Sequence, residues 1–258
     1  NGESWMNRQI SASERAFRKS PFYSQVLQRQ MPVAVYGHFG VPVMVFPTAN
    51  QDFEEYERQG MIEALGEFLA RGMVKLYCVS SINGESWMNR QISASERAFR
   101  QSLYDRHVTE ELVPMIYGDC GGHKLPIATV GSSFGAYHAA NELLKHPDIF
   151  RWCIGMSGIY DMSAYFDGEY DRNCFENNPC DYVPKLTEGP RLEALQRCSI
   201  NIICGQGPWE RVEWSQQLPQ ALARRGIDHN FDLWGHDVAH DWPWWKVQLK
   251  LYFPRLFG

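Results

Sequence analysis

The sequence predicts an α/β fold in which a mostly parallel central sheet is flanked by helices. Short apolar, β-branched runs bounded by Gly and Pro alternate with segments of helical period along most of the chain. Such alternation builds right-handed βαβ crossovers and hence parallel strands. The length, 258 residues, suits one large domain of this kind. Residues 159–197 carry no strand period and are rich in Asp, Asn, Tyr and Pro. They read as a cap-like insertion over the carboxyl edge of the sheet, not as a second domain.

The elements follow in order. FYSQVLQ, from Phe22, alternates and predicts a strand. MPVAVYGH and VPVMVFP, separated by Gly40, predict a hairpin leading into a buried strand. Residues 60–71 space Met61, Leu65 and Phe68 at helical intervals, and Gly72 ends that helix. MVKLYCVS (73–80) is a continuous apolar strand. A long helical pattern covers 94–117, with Ser93 or Ser95 placed to cap it. LPIATVG (125–131) is a buried strand, and the helix Phe134 to Lys145 stops before His146-Pro147. RWCIGMSG, SINIICG and HNFDLWG supply three more strands. A helix at about 213–225 lies between the last two, and a closing helix starts near Trp244.

Composition narrows the function. The net charge is −5, which argues against a nucleic-acid binder. Mean hydropathy is −0.40 and no apolar run is long enough for a membrane span. The opening residues lack the apolar stretch of a signal peptide, which points to the cytoplasm, although a mature secreted chain lacks one too. The seven cysteines are an odd count in a chain too large to need staples. Cys78, Cys153 and Cys204 read as small core residues. Cys174 and Cys180 share a polar loop, where a disulfide is allowed but not expected. With no C-x-x-C pair, neither a structural zinc nor any other metal or cofactor is expected.

Residues 1–18, NGESWMNRQISASERAFR, recur letter for letter at 83–100. True structural repeats diverge and recur through a chain. The second copy lies between a strand and a helix and reads as the native one. The first reads as an artefact or an engineered duplication, which leaves 19–258 as a single domain. Both copies cannot fill one place, so the first is expected to be disordered, packed elsewhere or exchanged with a neighbouring molecule.

The motif that carries chemistry is Gly131-Ser132-Ser133-Phe134-Gly135, which follows a buried strand and opens a helix. That is the context of a nucleophile elbow. The turn is so tight that only small neighbours fit, and it exposes the Ser133 hydroxyl at a helix N-terminus, where the dipole favours a developing anion. Ser132 is expected to point away. The base belongs after the last strand, where His236 and His240 both stand; His240, just before the closing helix, is preferred. A metal reading of His236-x-x-x-His240 lacks the helix and the Glu it needs. The acid belongs after SINIICG. Glu210 is the first choice and Glu213 the second, with Asp232 and Asp237 behind them. The oxyanion hole needs two backbone N–H groups, expected from Phe134 and from Ala49, with Asn50 as the neighbouring choice.

These residues resemble a known family. VYGHFGVPVMVFPT, GSSFGAYHAANELLKHPDIF, GMSGIYDMSAYFDGEY, FENNPCDYVP and WGHDVAHDWPWW are similar to the putative-esterase family of α/β-hydrolases, which is esterase D- and feruloyl-esterase-like. The resemblance covers about residues 20–258 and implies the α/β-hydrolase fold and a serine esterase that cleaves carboxylic esters. It carries Ser133 and His240 over directly. Glu210 carries over less firmly, because GQGPWER lacks the more usual Asp-rich form.

Trp209, Trp214, Trp234, Trp242, Trp244 and Trp245 crowd the acid and His loops. They read either as an aromatic pocket or as packing that anchors the closing helix. Asn50, Trp87, Tyr160, Trp209 and Trp242 are the expected pocket residues, with Arg90 at its border and Tyr165, Tyr170 and Phe175 lining a cap with Tyr160. The expected partner is a small-molecule ester, and self-association is left open. The competing readings are an acyltransferase with the same triad and a binding protein on a degenerate hydrolase fold.

Overall fold

The computed structural model describes residues 17–258. Ten strands run β1 (Phe17–Ser20), β2 (Tyr23–Ser24), β3 (Arg29–Gln30), β4 (Val33–Tyr36), β5 (Val41–Phe46), β6 (Val74–Val79), β7 (Ile127–Ser132), β8 (Phe150–Met156), β9 (Ser199–Cys204) and β10 (Asn230–Leu233). Eight of them form one sheet in the order β1-β4-β6-β5-β7-β8-β9-β10. From β6 to β10 every neighbour pairs in parallel, while β1 and β4 add an antiparallel edge. This is the expected mostly parallel sheet.

Two local expectations need correcting. β4 and β5 do not form a hairpin, because β6 lies between them and pairs with both. Gly37 and Gly40 take positive φ and carry the chain away from β4 rather than back along it. FYSQVLQ is not one strand either. It turns at 25–28, with Gln28 at φ 53, and pairs Tyr23-Ser24 with Arg29-Gln30 as a small separate hairpin. Glu111 anchors that turn by accepting from Ser24 Oγ at 2.5 Å and from Gln25 N at 2.7 Å.

The strand residues alternate between two cores. Met44, Phe46, Tyr77 and Val79 face one side; Val43, Val45, Leu76 and Cys78 face the other. Both faces are apolar because helices cover both. On the second side lie α1 (Glu55–Arg58), α2 (Met61–Ala64) and α3 (Gly66–Ala70), so the single helix expected over 60–71 is broken in two at Leu65. On the first side lies α4 (Ala94–His107), capped by Ser93 Oγ accepting from Glu96 N at 3.1 Å. It continues through a wider π-turn, Val108–Leu112, into α5 (Val113–Asp119). Next comes α6 (Phe134–Lys145), buried almost throughout.

Residues 159–197 contain α7 (Arg172–Glu176), α8 (Pro179–Tyr182) and α9 (Pro190–Leu195). After β9 come α10 (Val212–Ser215) and α11 (Gln217–Arg225), and α12 (Trp242–Phe257) closes the chain against the second core. Residues 83–100 hold on to the stretch after β8. The buried Arg97 guanidinium donates to Tyr165 O at 2.6 Å and Asp167 Oδ2 at 2.5 Å, and Arg90 also pairs with Asp167. The first copy of the repeat lies outside the described residues apart from Phe17 and Arg18, which pair in β1 with Tyr36 and Val35. Their counterparts, Phe99 and Arg100, sit in α4. All seven cysteines are thiols, Cys174 and Cys180 among them. No helix among the described residues is long and apolar enough to cross a membrane.

Candidate active site

The parallel register brings the chemistry to one edge. Phe46 is paired with Gly131, Ser132 with Met156, Met156 with Ile203, and Cys204 with Leu233. The loops that leave β5, β7, β8, β9 and β10 therefore open side by side, where open α/β sheets bind ligands.

The elbow sits after β7. Ser133 holds φ 53 and ψ −123, outside the favoured regions for a residue with a side chain. Its N–H donates to Met156 O at 2.8 Å, and its carbonyl accepts from Ala136 N at 3.1 Å. The flanking glycines are required sterically. A Cβ on Gly131 would overlap the Gly135 carbonyl, and one on Gly135 would overlap the Phe46 and Pro47 carbonyls. Ser132 is buried and faces the core, away from the nucleophile. Phe134 begins α6, so its N–H is among those a helix start leaves without an intrahelical acceptor.

The loop after β5 is clamped from below. Glu55 is buried at the start of α1 and accepts from Thr48 N at 2.8 Å and Thr48 Oγ1 at 2.5 Å. Burial pushes its carboxyl upward, and the two Thr48 donors oppose that shift. The clamp holds Ala49 against the Trp87, Phe134 and Tyr137 cluster, with Asn50 exposed at φ 57.

His240 Nδ1 donates to Glu210 Oε2 at 3.3 Å. The Glu210 side chain is 1 % exposed, whereas that of His240 is 26 % exposed. A buried carboxylate is costly unless its lone pairs are filled. Here Oε1 accepts from Ser157 Oγ at 2.6 Å and Gly205 N at 3.1 Å. Oε2 accepts from His240 and from the Cys204 thiol at 3.6 Å. Burial pushes the Cys204 thiol up to about 12, so it serves as a neutral donor. The imidazole is seated by its own backbone N–H on Pro208 O at 3.0 Å and by the edge of Trp245 at 5.1 Å. Glu213 is exposed in α10, Asp232 is taken by Trp234 and Tyr252, and His236 lies exposed in the preceding turn.

Ser133 and His240 line a common cavity of about 250 Å³ with Ser157, Gly158, Ile159, Trp209, Arg211 and Trp214. Trp209 stands 86 % exposed at its rim, at φ 67. The other four expected pocket residues are elsewhere, Asn50 among them on the loop after β5. Trp87 is fully buried, packs among Tyr137, Tyr165 and Phe166, and donates to Tyr137 OH at 3.2 Å. Tyr160 is fully buried, with its hydroxyl against Gly155 and Gly158. Trp242 packs edge-on against Tyr56 and Trp245 and anchors the start of α12. Trp87 and Tyr160 fill core beside the site, where a large aromatic removes most apolar area from water, and half-buried Trp242 packs against the core margin. Sequence reasoning missed Ser157 and Glu55, and left Trp245 between pocket and packing. The Ser157-Gly158 pair at the end of a strand, echoing the elbow, was the one available signal.

The fold is that of the α/β-hydrolases. The chain matches the family described as "Putative esterase" over residues 24–256 and belongs to that family. It is a serine ester hydrolase. No curated protein matches the sequence. Solved structures share the fold. A ferulic acid esterase superposes with TM-score 0.72 at 17 % identity, covering 93 % of this chain and 97 % of its own. An S-formylglutathione hydrolase from Agrobacterium tumefaciens gives 0.66 at 18 %, covering 98 % of each chain. A ferulic acid esterase from the anaerobic fungus Anaeromyces mucronatus gives 0.65 at 13 %, covering 94 % and 90 %.

Proposed function

We propose that Ser133, His240 and Glu210 are the triad of this esterase. The observation that carries the reading is the single cavity shared by a strained Ser133 at a helix N-terminus and by His240, one ring nitrogen of which is bonded to the buried Glu210. Ser133 Oγ attacks the ester carbonyl while His240 Nε2 takes its proton. The carbonyl oxygen gains charge, which the amides of Phe134 and Ala49 stabilise. His240 returns the proton to the departing alcohol and leaves an acyl-enzyme. Water, activated by His240, then releases the acid. Glu210 orients the imidazole and stabilises its protonated form.

The open rim at Trp209 gives water access, which favours hydrolysis over transfer to another alcohol. Trp209 and Trp214 offer flat apolar faces to an aromatic acyl or alcohol group, such as the ferulic acid named for two structural neighbours. The seven thiols favour a reducing, cytoplasmic setting.

Rapid mixing with a nitrophenyl ester tests the reading. The wild type should release a stoichiometric burst of nitrophenol, and Ser133→Ala should lose the burst and at least roughly 10⁴-fold in kcat. A Ser133→Ala enzyme with undiminished turnover would contradict it. Added alcohols that divert the acyl group into new esters would favour acyl transfer.

A further inference from the structure

We infer that Ser157 is a positioning residue for ester hydrolysis, acting through Glu210; this rests on the triad proposed above. Ser157 directly follows β8, beside the elbow, because Met156 is paired with Ser132. Its backbone is left-handed at φ 51, and its N–H crosses to Ile203 O at 2.7 Å. Glycine would take that backbone freely, whereas serine takes it at a cost. The hydroxyl held there is fully used. It donates to Glu210 Oε1 at 2.6 Å and accepts from Trp245 Nε1 at 3.0 Å. Trp245 in turn packs edge-on against His240.

The four side chains therefore close a ring: His240 to Glu210, Glu210 to Ser157, Ser157 to Trp245, and Trp245 back to His240. Geometry gives the ring its purpose. Oε1 is held by Ser157 and Gly205 N, so the carboxylate cannot rotate without breaking both bonds. That locks Oε2 toward His240 Nδ1. The 3.3 Å contact there is the loosest made by an oxygen or nitrogen donor on this carboxylate, and so depends most on how the other oxygen is held. Strained Ser133 and strained Ser157, at the ends of neighbouring strands, stand at the two ends of the proposed triad.

The test compares Ser157→Gly, which removes the hydroxyl and the backbone strain, with Ser157→Ala, which removes the hydroxyl alone. Near-UV circular dichroism identifies folded samples. Both variants should lose roughly ten- to a hundredfold in kcat, the scale of a misplaced catalytic group, with KM changed by less than about twofold. Trp245→Phe keeps the Ser157–Glu210 bond and should cost less than either. The discriminating readout is a double-mutant cycle. In a Glu210→Gln background, Ser157→Gly should cost almost nothing more, because its effect runs through the carboxylate. A folded Ser157→Gly enzyme with wild-type kcat, or a full additive loss in the Glu210→Gln background, would overturn the proposal. Fluorophosphonate labelling of the wild type separates the two failures. Absent His240-dependent labelling at Ser133 overturns the triad and this proposal with it. Normal labelling with an unaffected Ser157→Gly overturns this proposal alone.

Discussion

Glu210 shows how much of the site depends on one side chain. Four donors surround its carboxylate in a place water does not reach. A neutral amide would meet the same donors with one N–H₂ in place of an acceptor, and a donor would then face a donor. We predict that Glu210→Gln loses roughly 10²–10⁴-fold in kcat through misorientation of the imidazole. Glu213→Gln, on the exposed face of α10, should stay within about twofold. Steady-state kinetics on both variants checks the assignment, and the reverse order of effects would move the acid to Glu213. The tight turn at Ser133 was legible in the sequence because steric necessity writes itself as Gly131 and Gly135. The acid loop carries no such constraint, and choosing Glu210 over Glu213 rested on position alone. The part played by Ser157 was not legible, since it comes from a long-range meeting with residues 53 and 88 positions away.

At the scale of elements, period and punctuation were informative wherever an element is buried on both faces. The predicted strands 125–131 and 199–205 and the helix Phe134 to Lys145 lie within two residues of their observed ends. Errors fell where tertiary pairing decides. VAVY and VPVMVF look like a hairpin by their separation, yet the β6 strand, about thirty residues further on, takes the place between them. FYSQVLQ alternates like a strand, but Glu111 offers its turn three hydrogen bonds that local pattern cannot reveal. The dipeptide Phe-Arg makes the same point, being strand at 17–18 and helix at 99–100. Propensity is a weak prior that context overrides. The tryptophans were ambiguous for a related reason. Composition reports that aromatic side chains gather near the site, but only packing distinguishes the rim at Trp209 from the core at Trp242 and Trp245.

The whole molecule has a polar anchor far from the chemistry. Asp105 in α4 accepts from His146 Nε2 at 2.7 Å and pairs with Lys145 Nζ at 3.1 Å at the end of α6, the helix that begins at Ser133. Burial pushes the Asp105 carboxyl up, but the hydrogen bond from His146 and the charge of Lys145 outweigh it and hold it at about 2, below the ordinary 3.8. The folded state therefore binds the proton less readily than the unfolded chain. The stabilisation is complete above the unfolded value and is lost as pH falls from about 4 toward 2. Thermal melts should show the wild type losing Tm across that window. Asp105→Asn should begin lower at neutral pH and lose less on acidification, so that the two curves converge. Parallel curves would show that the pair contributes nothing to acid sensitivity.

The central claim is that Ser133 is a nucleophile activated by His240. The most direct measurement is labelling with a fluorophosphonate probe, followed by peptide mapping, on the wild type and on His240→Ala. We predict rapid modification of the peptide carrying Ser133 in the wild type and a rate lowered by roughly 10³-fold or more in His240→Ala. Modification at another residue, or at Ser133 with equal speed in both proteins, would contradict the claim.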